Sequence, residues 1–128
     1  MATKLNVATR PGVLVRTVDD TPVAAVTFAT RPSKVYWIDF KVTAAYEDTS
    51  AGAIYWLAAA FRTDAAGTLT QIGSTASVIT AIEDTGGMAA TVAASSTNVA
   101  VTLTGVAATN IQWRIDADIQ EDDYIYLN

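Results

Sequence analysis

Strict alternation of apolar and polar residues over two long stretches constrains this chain more than any other feature. In residues 34–47, Tyr36, Ile38, Phe40, Val42, Ala44 and Tyr46 fall on one face, and Val35, Trp37, Asp39, Lys41 and Thr43 on the other. In residues 110–119, Ile111, Trp113, Ile115, Ala117 and Ile119 alternate with Asn110, Gln112, Arg114, Asp116 and Asp118. A helix would scatter either set around its circumference, whereas a strand gathers it on one side. Both segments therefore predict strands with one face turned to a core. Composition agrees: Val and Ile total 22 residues against 8 for Leu and Met. Side chains branched at Cβ pack well on a pleated surface and are stiff in helices.

Weaker strands are expected before and between these two, at residues 12–18, 23–30, 68–73, 77–83, 91–94 and 99–104. Turn residues separate them: Asp19-Asp20-Thr21-Pro22, Arg31-Pro32-Ser33, Asp64-Ala65-Ala66-Gly67, Asp84-Thr85-Gly86-Gly87 and Ser95-Ser96-Thr97-Asn98. Pro cannot donate to a ladder, so Pro22 and Pro32 mark strand ends. Turn signals recurring about every 8–12 residues point to a sandwich or barrel. Residues 53–66 read two ways. Ile54, Leu57, Ala58 and Phe61 have helical spacing within an Ala-rich run of high helix propensity. Tyr55, Leu57, Ala59 and Phe61 alternate, and the Gly/Ser turns around them favour a strand. The 128 residues make one domain. Residues 1–11 form an N-terminal arm or edge strand, 12–119 the sandwich, and 120–128 an acidic and aromatic tail.

There is no Cys and no His, which removes thiol chemistry, disulfides and imidazole catalysis or ligation. The three Lys lie within the first 41 residues, and no Ser occupies a nucleophile motif. Asp39, beside Trp37, is the one acid near an aromatic in a regular element, and reads as a solvated surface carboxylate. No catalytic residue, cofactor or metal site is expected, and the chain is read as not an enzyme. The acidic pairs Asp19-Asp20, Glu47-Asp48 and Glu83-Asp84 lie in turns without the spacing of a calcium loop. The net charge of −5 gives no general reason to bind nucleic acid or an anionic membrane. The charge is uneven: residues 1–46 carry +3 and residues 47–128 carry −8. Either the fold interleaves the two halves, or the surface is bipolar and suits head-to-tail packing of identical subunits. No secretion signal or membrane-spanning run is read, and the chain reads as a complete cytosolic product.

The aromatics divide by face. Trp113 shares a face with three Ile and is expected in the core. Trp37 and Trp56 lie opposite more apolar faces, and serve either as a subunit interface or as a sugar platform, with the interface preferred. Glu121-Asp122-Asp123 precedes Tyr124, Ile125, Tyr126 and Leu127. That tail either folds back on the sandwich or docks on a neighbour by strand addition. The candidate interface residues are therefore Trp37, Trp56, Tyr124, Tyr126 and Leu127.

The run Ala53-Ile54-Tyr55-Trp56-Leu57-Ala58-Ala59-Ala60-Phe61-Arg62-Thr63-Asp64, followed by Gly67-Thr68-Leu69-Thr70-Gln71-Ile72-Gly73-Ser74, resembles small β-rich virion proteins of tailed bacteriophages. So do Glu83-Asp84 and the segment from Val101-Thr102-Leu103-Thr104-Gly105 to Thr109-Asn110-Ile111-Gln112-Trp113-Arg114. The resemblance covers residues 17–119. It departs at Gly86-Gly87-Met88, where such proteins often carry an aromatic. It implies a non-enzymatic structural protein present in symmetric copies. The expectation is an all-β, antiparallel, jelly-roll-like sandwich of eight or nine strands. Its first functional expectation is a capsid decoration (cement) protein bridging capsid subunits. The expected partners are the major capsid protein or another virion protein and other copies of the chain, as homotrimers. The alternatives are a tail or fibre-tip protein and, from another class, a carbohydrate-binding module. The expected location is the virion, after synthesis in the host cytoplasm.

Overall fold

The structure is a computed structural model that describes residues 5–123, with side chains from Gly12 onward. The described residues form nine strands: β1 (Leu5–Thr17), β2 (Val23–Ala29), β3 (Lys34–Tyr46), β4 (Gly52–Thr63), β5 (Leu69–Ser77), β6 (Ile82–Glu83), β7 (Ala89–Ser95), β8 (Asn98–Thr104) and β9 (Ile111–Asp123). They form two antiparallel sheets. The larger runs β1-β9-β3-β4-β5, with β6 also pairing β4, and the smaller runs β2-β8-β7. The described residues contain no helix long and apolar enough to cross a membrane.

The alternation that dominates the sequence builds the core. Along β3, positions 36, 38, 40, 42 and 44 are buried, and along β9 so are 111, 113, 115, 117 and 119. Antiparallel register lays these two sets side by side: Ile38 opposes Ile119, Phe40 opposes Ala117 and Val42 opposes Ile115. The smaller sheet closes over them with Val26, Phe28, Val92, Val99, Val101 and Leu103. Rings of the two sheets meet at Phe28 and Tyr36, whose centroids are 6.4 Å apart.

Residues 53–63 belong to a strand despite their Ala content. Tyr55, Leu57, Ala59 and Phe61 point inward, and β4 pairs with β3 along its length. Ala is a good helix former, but the buried face it would have to abandon outweighs that preference. The strand expected at 77–83 is largely absent. β5 already takes the outer edge of β4 from Leu57 to Thr63, so only Ala53 and Ile54 remain for β6 to pair. A bulge opposite Ala58 and Ala60 interrupts β5, and Gly73 there adopts a φ of 67°. Bulges of this kind twist an edge strand away from further pairing.

The strand order departs from a jelly roll in one respect. First and last strands pair within one sheet, β1 with β9, and β2 with β8 in the other, but β3, β4 and β5 run as a meander in a single sheet. The tight loop between β3 and β4 keeps them together. Asp48 Oδ1 accepts hydrogen bonds from Ser50 N at 2.9 Å and Ser50 Oγ at 2.6 Å. Tyr46 N donates to Ala51 O at 2.9 Å. Such an Asx turn is too short to carry the chain across to the other sheet. β9 runs on through Asp123, so Glu121, Asp122 and Asp123 are strand residues and not part of a tail.

Charge is interleaved and not bipolar. Arg16 pairs with Glu47 at 2.7 Å, Arg31 with Glu121 and Lys34 with Asp123. Each of these joins a cation of the first 46 residues to an acid of the remainder. For Glu121 and Asp123 the cause is topological, since β9 lies beside β3. The turn acids hold turns: Asp19 accepts from Thr21 N, Asp64 from Ala66 N and Thr68 N, and Asp84 from Gly52 N.

Candidate functional site

Two faces of the larger sheet have different fates. One is sealed by the smaller sheet. The other has no element of the described chain over it. That outer face carries Leu14 on β1, Trp37 on β3, Ile54 on β4, Ile72 on β5 and Ile82 on β6, all exposed. Leu14 is 78% exposed and Trp37 is 60%. Single exposed apolar residues are ordinary, whereas a set gathered on one sheet face marks a contact surface.

Register places these residues in two groups. Toward one end of the strands, Leu14, Arg114, Thr43, Ile54 and Ile82 form a continuous row across β1, β9, β3, β4 and β6. They line a groove of about 570 Å³. Arg114 lies along the groove and pairs with Asp116 at 3.2 Å. Its guanidinium passes so close to Gly12 that a Cβ there would come within 2.5 Å of Arg114 Nε.

Toward the other end, Trp37 borders a hollow of about 200 Å³ lined also by Asp39, Asp118, Ile119 and Gln120. Asp39 and Asp118 are directly opposed across β3 and β9. Like charges in that position are destabilising. Neither forms an ion pair with a described residue. Asp39 accepts the indole N–H of Trp56. The ammonium of Lys41 lies 4.7 Å from the centre of the Trp56 ring. Register sets Lys41 between Asp116 and Trp56. The row of Lys41 therefore seats a cation on an indole, with the Asp116 carboxylate opposite it on β9.

At the rim of the sandwich, Arg31 and the Tyr36 hydroxyl converge on Glu121, with Tyr36 Oη donating at 2.7 Å. Burial, followed by the hydrogen bond to Glu121, pushes Tyr36 up to about 12. Tyr55 is likewise pushed up to about 12 by burial, with the charge of Glu83 adding to it.

Of the expected interface residues, Trp37 is open, and Trp56 is half-buried on the same outer face with one ring face covered by Lys41. Tyr124, Tyr126 and Leu127 lie outside the described residues. Sequence reasoning missed Leu14, Ile54, Ile72 and Ile82. Their signal was present: Val13-Leu14-Val15 and Ile54-Tyr55 put apolar residues on both faces of their strands. Nothing in one strand says whether the second face is covered.

A scan of known protein families finds no match for this chain. A search of curated proteins finds none either. Among solved structures, the tailspike protein of Acinetobacter baumannii phage AM24 aligns with 96% of this chain, at 7% identity and a TM-score of 0.43. The chain spans 26% of that protein's length. Likeness at this level adds nothing to what the strands and their register establish.

Proposed function

We propose that this chain is a non-enzymatic virion structural protein of a tailed bacteriophage, and that it binds its neighbours through the outer face of its larger sheet. The observation that carries this reading is the gathering of Leu14, Trp37, Ile54, Ile72 and Ile82 on that uncovered face. The resemblance of residues 17–119 to small β-rich phage virion proteins supplies the setting. Capsid decoration is the preferred role, with the apolar groove seated on the shell and the polar rim around it excluding water. Partners on this reading are the major capsid protein and other copies of the chain. A net charge of −5 argues against nucleic acid as a partner.

Quantifying the protein in purified virions tests the role. Decoration requires a copy number on the order of hundreds, because symmetric shells repeat their sites. A few dozen copies or fewer would move the protein to the tail. Absence from purified particles would overturn the reading altogether.

A further inference from the structure

The hollow beside Trp37, like the row of Lys41, sets an indole near carboxylates. In the row of Lys41, the Trp56 indole carries an ammonium, with Asp116 opposite Lys41 on β9. In the hollow, Trp37 stands beside Asp39 and Asp118, and no described cation pairs with either. Two opposed carboxylates next to an open indole favour a cationic occupant, which relieves the repulsion and stacks on the ring. A neutral sugar ring would stack as well but leave the charge uncompensated.

The same face holds a cation to match. Arg62 is exposed on β4 and forms no ion pair with a described residue, whereas Arg16, Arg31, Lys34 and Arg114 all do. Register puts Arg62 in the row of Val35, one row to one side of Trp37. Asp39 and Asp118 lie one row to the other side. We propose that Trp37, Asp39, Asp118 and Arg62 form a self-complementary contact through which two copies of this chain associate face to face. A twofold axis along the row of Trp37 and Ala60 lays each Trp37 on its counterpart. It also carries Arg62 onto the opposite copy's row of Asp39 and Asp118.

Arg62 then lies over Ala58 of the partner subunit, whose small side chain leaves room for the guanidinium to reach the partner's Asp39. Asp122, in the row of Arg62, turns within its own sheet: Oδ2 takes the amide of Gln120 at 3.3 Å, and Oδ1 is buried. Overlap of the rows around this axis covers roughly three rows by five strands, or on the order of 500 Å² per copy from ordinary strand spacings. That is below the roughly 800 Å² per partner of a standard interface, so weak, concentration-dependent association is expected.

The inference rests on the outer face being a contact surface, as proposed above, but its test is made in solution. Sedimentation of the full chain, from low micromolar to several hundred micromolar, should show a mass rising from one copy toward two. Arg62→Asp alone should weaken association about tenfold or more, as loss of a close charge pair does. Ala58→Arg alone should do the same, by setting a like charge under the partner's Arg62. Combining them places opposite charges there again and should restore it. Both positions lie on the outer face, so the variants keep the fold. A chain that stays monomeric throughout overturns the proposal, as does a dimer or trimer indifferent to the two substitutions, or a double variant that fails to recover. Glycan binding by a monomeric wild-type chain, lost in Trp37→Ala, would assign the hollow to a sugar instead. A monomer that is nonetheless abundant on virions would overturn this contact and leave the virion role standing.

Discussion

Trp113 and Trp37 sit on opposite faces of the same sheet, and substitutions at the two separate folding from contact. Trp113 is buried against three Ile, and its indole N–H donates to Thr17 Oγ1 at 2.8 Å. Trp113→Ala should cost about 3–5 kcal/mol, by lost burial and the cavity left behind. Thr17→Val keeps the shape but strands the indole N–H, and should cost about 1–3 kcal/mol. Trp37→Ala should change stability by no more than about 0.5 kcal/mol, because the ring is open to solvent. Urea unfolding measures all three. The core role of Trp113 was legible from its company on one face. The role of Thr17 was not, because a polar residue at a strand end says nothing about which indole will reach it.

Tyr36 and Tyr55 make the pH dependence specific. Both hold their protons up to about 12 in the folded chain, against about 10 when unfolded. An acid whose folded pKa is raised contributes stability that is present below the unfolded pKa and lost as pH rises through the folded one. Unfolding free energy should therefore fall between pH 10 and 12. Denaturation at stepped pH, with tyrosinate absorbance followed in parallel, measures this. Ionisation of all described tyrosines near 10 without unfolding would contradict it.

Among elements, β3 and the part of β9 up to Ile119 were legible because each alternates and pairs with the other, whereas Gln120 to Asp123 are polar throughout and read as a tail. β4 was legible only through its inner face, since its Ala run also suits a helix until β3 lies beside it. The segment 77–83 was misread for a reason no single strand reveals: the edge it would pair with is already occupied by β5. Connections carry information of the same kind. Gly105 follows β8 where a Cβ would lie 2.5 Å from Thr17 Oγ1 and 2.7 Å from Asp19 O. The backbone oxygen cannot swing aside as a side chain can. Gly105→Ala should cost about 1–3 kcal/mol by overpacking, and should disturb the Thr17–Trp113 hydrogen bond with it. A shift in the Trp113 indole N–H resonance, alongside a lowered urea midpoint, is the expected signature.

For the molecule as a whole, the uneven charge of the sequence does not survive folding as two poles. The topology threads the acidic β9 between β1 and β3, and Arg16, Arg31 and Lys34 of the first half pair with acids of the second. What folding creates instead is a six-stranded sheet with one face sealed and the other presenting apolar side chains and an acidic hollow. Trp37 and Trp56 marked part of that face in the sequence, but its extent depends on a smaller sheet that covers only one side. Location in the virion tests the account most directly. An image reconstruction of the particle should show this sandwich in many symmetric copies, with the face bearing Leu14, Trp37 and Ile54 against a neighbouring subunit. A particle in which that face looks out to solvent, or from which the protein is absent, would contradict it.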